Sequence, residues 1–211
     1  MEIKINNLIK RYGSKTAVDI PDFTLHEGEI LGLVGNNGAG KTTLFRLMLD
    51  LLQADSGTVC MNGTDVTRSE EWKTFTGAYM DESFLIDYLT PDEYFQFNGR
   101  MCGLDRNTVN ERIRRYERFL GPEILEEKKF IRNLSAGNKQ KIGIVNALLQ
   151  NPQIVILDEP FNFLDPTSQS LLKHMLQHYG EEHKALILVS SHNLSHTIDL
   201  STCLLYTSPS P

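Results

Sequence analysis

An α/β fold built around a parallel sheet is predicted by three features of the sequence. The apolar run EILGLV at 29–34 is followed at once by a glycine-rich loop and then by a helical pattern. Two more apolar runs, QIVILD at 153–158 and ALILVS at 185–190, flank the helical stretch TSQSLLKHMLQHYG, which is the alternation of strands joined by crossover helices. Between these halves, residues 82–150 read as a helical insert in a core formed by 1–81 and 151–202.

Taken in order, EIKIN at 2–6 alternates like a half-buried strand, whereas EILGLV is continuous like a buried one. The helix TTLFRLMLDLL stops at the turn-rich Ala54-Asp55-Ser56-Gly57. SGTVCMNG at 56–63 is a short strand ending in Asn-Gly, and FTGAY at 75–79 is another. Thr90-Pro91-Asp92-Glu93 supplies an N-cap, a proline at the first helical position and a capping-box glutamate. A second charged helix, NTVNERIRRYERFL, starts at Asn107-Thr108.

The 211 residues, 40% hydrophobic, suffice to bury one core. With 21 basic against 27 acidic residues and a net charge of -6, no general attraction to nucleic acid or anionic lipid is expected. Apolar runs such as ALILV are strand-sized, short of the roughly 18 residues that span a bilayer. The N-terminus lacks a signal-type apolar region and Cys60, Cys102 and Cys203 have no CxxC spacing, so a reducing cytosol is the expected location. The last nine residues, CLLYTSPSP, resemble a translated sequencing adapter and are set aside from the fold reading, which puts the domain at 1–202.

GNNGAGKTT at 35–43 fits G-x-x-x-x-G-K-[ST] through Gly35, Gly38, Gly40, Lys41 and Thr42, with Asn36, Asn37, Ala39 and Thr43 completing the loop. Glycines let backbone N–H groups turn inward around phosphate oxygens, and the helix N-terminus adds positive potential. Lys41 is suited to the β- and γ-phosphates, and the Thr42 hydroxyl to Mg²⁺. The loop implies ATP or GTP and leaves kinase, GTPase, helicase and transporter ATPase open.

Asp158 and Glu159 end the strand IVILDE, where a sheet presents its ligand site. Asp158 is suited to hold Mg²⁺ and Glu159 to act as general base. His192 ends ILVSSH in the same way and is placed to reach a γ-phosphate. His174 and His178 lie four apart on a helix with no evident third metal ligand, and read as an exposed face.

With LSAGNKQK at 134–141 just before LDEP, nearly all of residues 1–202 resembles the nucleotide-binding domain of ATP-binding cassette (ABC) transporters. The resemblance implies a P-loop NTPase core with a parallel sheet, an N-terminal antiparallel β part and an inserted helical subdomain. It also implies ATP and Mg²⁺ as ligands and head-to-tail pairing with a second nucleotide-binding domain. Each phosphate loop would then be completed by the partner's signature segment, here Ser135, Gly137 and Asn138. Tyr12 takes the place of the adenine-stacking aromatic residue, Asp165 that of an aspartate facing the opposite site, and His192 that of the switch histidine. Transmembrane permease subunits would be separate chains, as in bacterial exporters, with this chain at the inner face of the membrane.

Four departures accompany the resemblance. Asp81 stands where a glutamine is usual and is a candidate Mg²⁺ ligand; Ala136 replaces glycine, Asn138 replaces glutamine, and Phe161 stands where threonine is common. The rival readings are a cassette acting on ribosomes or nucleic acid, and a regulatory nucleotide-binding module without turnover.

Overall fold

Two sheets divide the strands. A computed structural model describes residues 1–194, 198 and 200–206. The antiparallel sheet contains β1 (Glu2–Tyr12), β2 (Lys15–His26), β4 (Ser56–Met61) and β5 (Thr64–Asp65), in the order β2-β1-β4-β5. The parallel sheet contains β3 (Ile30–Val34), β6 (Thr76–Tyr79), β7 (Ile154–Leu157), β8 (Leu186–Ser191) and β9 (Cys203–Tyr206), in the order β6-β7-β8-β3-β9.

The apolar runs form the parallel strands because both faces of that sheet are covered. Val155, Leu157, Ile187 and Val189 face one core, which contains residues of the helical insert. Ile154, Ile156, Leu186 and Leu188 face the other, shared with the antiparallel sheet and with α1 (Lys41–Met48). Alternate side chains of one strand thus fill different cores, and no polar face is left to produce alternation.

β2 was not anticipated from sequence. KTAVDIPDFTLH carries Pro21 and charged residues because this strand is at a sheet edge, paired among the described residues with β1 alone. The strand expected at 2–6 extends to Tyr12 for the opposite reason: it is a central strand, with β2 and β4 paired on either side of it. At Asn62-Gly63 both residues have positive φ, 50° and 81°, and the chain turns directly from β4 into β5.

Every regular element between β6 and β7 is helical: α2 (Pro91–Met101), α3 (Arg106–Arg114), α4 (Glu117–Leu120), α5 (Pro122–Leu125), α6 (Ala136–Leu148) and three-residue 3-10 turns. The α2 capping box forms as expected, Thr90 Oγ1 accepting from the Glu93 N–H and Glu93 from the Thr90 N–H at 2.8 Å. The helix expected from Asn107 starts one residue earlier, capped by Asp105, and breaks at Tyr116 into α3 and α4. After β7, α7 (Pro166–His183) crosses to β8.

Four of the eight residues of NLSHTIDL at 193–200 lie outside the described residues. Cys203–Tyr206, set aside from the fold reading, pairs in parallel with β3 from Leu31↔Cys203 to Val34↔Tyr206. An open strand edge presents unpaired N–H and C=O groups, so an extended apolar segment tethered beside it will pair with it.

Candidate active site

All four strands β3, β6, β7 and β8 deliver residues to one end of the parallel sheet. β3 runs into the phosphate loop, where the Gly35 N–H donates to the Ser191 carbonyl at 3.3 Å. Gly40 is the N-cap of α1 at φ 94°, and a Cβ there would lie 2.1 Å from the Ala17 carbonyl oxygen, so only glycine fits. No side chain caps α1, which leaves its first N–H groups and its positive end for an anion.

Lys41 is only 5% exposed, yet its ammonium lies inside the loop, donating to Gly35 O at 2.6 Å and Asn36 O at 3.3 Å. Its third close partner is Glu159 Oε1, at 3.2 Å. The hairpin of β1 and β2 abuts the loop through Lys15 Nζ, which donates to Gly38 O at 3.4 Å. Tyr12, the cross-strand partner of Lys15, is therefore carried beside the loop and is 53% exposed.

Asp158 and Glu159 diverge at the end of β7 because Glu159 adopts a left-handed φ of 47°. The Asp158 carboxylate accepts from Thr42 Oγ1 at 2.6 Å and from Ser190 Oγ, while Ser190 Oγ accepts from the Glu159 N–H at 2.7 Å. Burial pushes Asp158 above the usual carboxylate range, opposed by those two hydroxyls and by the Lys41 charge. Glu159 Oε2 meets His192 Nδ1 at 2.9 Å and the His192 N–H at 3.2 Å. Lys41, Glu159 and His192 thus form one connected group.

Asp81 follows β6 and caps a 3-10 turn (Glu82–Phe84), accepting from the Ser83 N–H at 2.8 Å and from its hydroxyl. It shares a cleft of about 230 Å³ with Asp158, Glu159, Gln140 and Phe163. Its carboxylate is therefore near the acidic pair while hydrogen-bonded to its own turn.

Ser135 caps α6, accepting from the Asn138 N–H at 3.2 Å. The Asn138 side chain is turned to Glu123 at 2.8 Å. A Cβ on Gly137 would lie 2.6 Å from the Phe163 carbonyl oxygen, so the signature segment packs on the loop that follows Glu159. Asp165, expected to face an opposite site, caps α7 through the N–H groups of Thr167 and Ser168, both at 3.0 Å, and the Ser168 hydroxyl. Phe161, the fourth departure, is 1% exposed and belongs to the core on the insert side.

Sequence reasoning missed Ser190 and Gln140. Ser190, fully buried in β8, is bonded to both acids, and Gln140 reaches from α6 to the Glu159 carbonyl at 3.1 Å. A polar residue closing an apolar strand, and a glutamine five residues after a cap, were the signals available.

The family model described as ABC transporter matches residues 18–162, spanning the phosphate loop, the signature segment and the acidic pair. This chain belongs to the ABC transporter family. It is 37% identical to an uncharacterised ABC transporter ATP-binding protein, MJ1023 of Methanocaldococcus jannaschii, over 92% of this chain and 69% of that one. NatA, an ABC transporter ATP-binding protein of Bacillus subtilis, is 35% identical over 83% of this chain and 72% of its own. BcrA, a bacitracin transport ATP-binding protein of Bacillus licheniformis, is 33% identical over 92% of this chain, which spans 62% of BcrA. The fold is that of solved ABC cassettes: the dimeric cassette MJ0796 superposes with a TM-score of 0.86 at 20% identity, covering 98% of this chain and 94% of that one. The cassette fold accounts for the glycine loop at the end of β3 and for the helical insert placed between it and the acidic strand.

Proposed function

We propose that this chain is the ATP-hydrolysing subunit of an ABC transporter, pairing head to tail with a second nucleotide-binding domain and driving separate permease subunits at the inner face of the membrane. The observation that carries the reading is the placement of Glu159, held between the buried Lys41 ammonium at 3.2 Å and His192 Nδ1 at 2.9 Å. A carboxylate so oriented can accept a proton from an attacking water while Lys41 draws phosphate charge into the loop.

Mg²⁺ fits the donor set, since Thr42 Oγ1 and Asp158 Oδ2 are hard oxygen donors 2.6 Å apart and the Asp158 charge is poorly solvated. Thr42 and Asp158 would hold it, with Asp81 nearby, and it would supply counter-charge to the phosphates. Ser190 fixes the Asp158 carboxylate, Gln140 fixes the Glu159 backbone, and Tyr12 offers an exposed ring beside the loop for adenine.

An apolar groove of about 400 Å³, lined by Leu49, Tyr79, Phe84, Leu85 and Tyr94, lies between the sheet and the insert. Its occupant in this reading is a permease segment, because Phe84 closes the turn that Asp81 caps, so docking there can be felt at the acidic cleft. No helix of the described residues is long and apolar enough to cross a membrane, in keeping with permease subunits on other chains. Relatives whose names specify bacitracin transport, tungstate uptake and taurine import are all similar to this chain, so cargo is assigned to the permease.

Steady phosphate release in Mg·ATP tests the proposal. Glu159→Gln should lower it by about 100-fold or more and convert the chain with Mg·ATP into a dimer that Ser135→Ala weakens. Turnover unaffected by Glu159→Gln would remove Glu159 from the base role.

A further inference from the structure

His174 and His178, which have no part in the acidic cleft, line one wall of a groove of about 480 Å³. The other wall is Arg115, Tyr116, Arg118 and Phe119, where α3 ends and α4 begins, so the helical insert and the core helix α7 form it together. The volume is that of a small-molecule site. The groove shares no residue with the acidic cleft or with the apolar groove beside Leu49.

Its floor is apolar and its rim basic. Tyr116, Phe119 and Tyr179 are buried, with Leu171 and Met175 half-buried beside them. The Tyr179 hydroxyl donates to the Pro152 carbonyl at 2.8 Å, so this residue gives the groove ring surface and not its polar end. At the rim, Glu182 is 3.7 Å from Arg115 Nη1, 3.5 Å from His178 Nδ1 and 3.8 Å from His183 Nε2. Arg115 is further shared with Glu111 at 3.9 Å, and Glu181 lines the adjoining cavity, which His174 and His178 also border. Arg118 is exposed and, among the described residues, has no hydrogen-bond or ion-pair partner. Lys141 Nζ, 5.7 Å from the centre of the Phe119 ring, adds a second cation beside the same floor. The chain as a whole carries a net charge of -6, so this basic rim is local and does not follow from composition.

We propose that this groove binds a small organic anion with a flat apolar body, an aromatic carboxylate or sulfonate. The body lies on the Phe119 and Tyr179 rings, the Arg118 guanidinium takes the anionic group through paired N–H donors, and the His174 and His178 imidazoles supply further donors at the rim. An inorganic anion gains nothing from the floor, and a neutral aromatic body gains nothing from Arg118, so the site calls for both in one molecule. Because one wall belongs to the insert and the other to α7, the bound molecule joins the two.

Calorimetric titration of the nucleotide-free chain with naphthoate tests the site, with naphthylmethanol and acetate as probes for the two halves of the ligand. Naphthoate should bind more tightly than either by about tenfold or more. Arg118→Gln should weaken naphthoate by about tenfold or more, Arg118→Lys by less because the charge is kept, and Leu171→Trp, which fills the groove, should abolish binding. Arg118 is exposed and unpaired among the described residues, so Arg118→Gln should keep the parent's melting temperature, and its loss of binding then reports the groove and not the fold. Absence of binding at millimolar naphthoate would overturn the proposal, as would equal binding of naphthylmethanol. Binding that Arg118→Gln leaves unchanged would overturn it too, by putting the probe elsewhere, such as the apolar groove beside Leu49.

Discussion

Asp158 is a carboxylate placed where water solvates it poorly. Thr42 and Ser190 each give it a hydrogen bond, but burial dominates and raises its pKa above the ordinary value of 3.8. The folded chain therefore holds this proton more tightly than the unfolded one. Stability is lost as pH rises from the ordinary carboxylate range through the raised folded value, and the full cost is present above it. Asp158→Asn should consequently melt about 2–4 °C higher than the parent at neutral pH without nucleotide. That gain should shrink as melts are repeated at pH values falling toward the ordinary range, and Mg·ATP should reverse it by pairing the native carboxylate. A gain independent of pH would mean that burial of charge is not its cause. The candidates at 41, 42, 158 and 159 were legible as motif residues at strand and loop ends, and His192 drew its weight from those motifs. Ser190 was not, since only the β7–β8 pairing puts it between the acids.

α6 shows how an element transmits position. It begins at the Ser135 cap, lends Gln140 to the Glu159 backbone, and packs on β6 through Gly143, where a Cβ would come 2.2 Å from the Tyr79 ring. Gly143→Ala must displace that ring and should destabilise the fold by about 1–3 kcal/mol, read as a lower urea midpoint. Gly180→Ala in α7 is the control: its Cβ would meet Ile187 at an ordinary 3.4 Å and would gain helix propensity, so its midpoint should hold or rise. Equal losses at both sites would assign the effect to glycine in helices generally. The cap of α2 was legible at Thr90 because a cap is decided between residues a few positions apart. The extent of β1 and the existence of β2 were not, because pairing across the sheet decided them.

At the scale of the whole molecule, the parallel sheet separates two cores and relies on coverage of both faces. β9 covers the β3 edge, with Leu205 packed on the core shared with the antiparallel sheet. Ending the chain after Thr202 should cost about 1–3 kcal/mol through the lost ladder and the exposed Leu205 contact, seen as a lower melting temperature. An unchanged melt would show that β9 adds no net stability to the β3 edge. The proposed pairing of two copies belongs to this scale too, since Ser135 is exposed on the single chain.

By itself the sequence determined the α/β class, the loop-to-helix turn at Gly35–Thr42 and the candidate acids, bases and signature residues. Each depends on short-range periodicity or on a motif whose chemistry tolerates few substitutes. Only the tertiary structure decided that Ser190 joins Asp158 to Glu159, that Gly137 must be small to admit the Phe163 carbonyl, and that CLLY pairs with β3. Those outcomes depend on which strands become neighbours and how closely two backbones approach. Such distances arise between segments tens of residues apart, where local sequence carries little information about them.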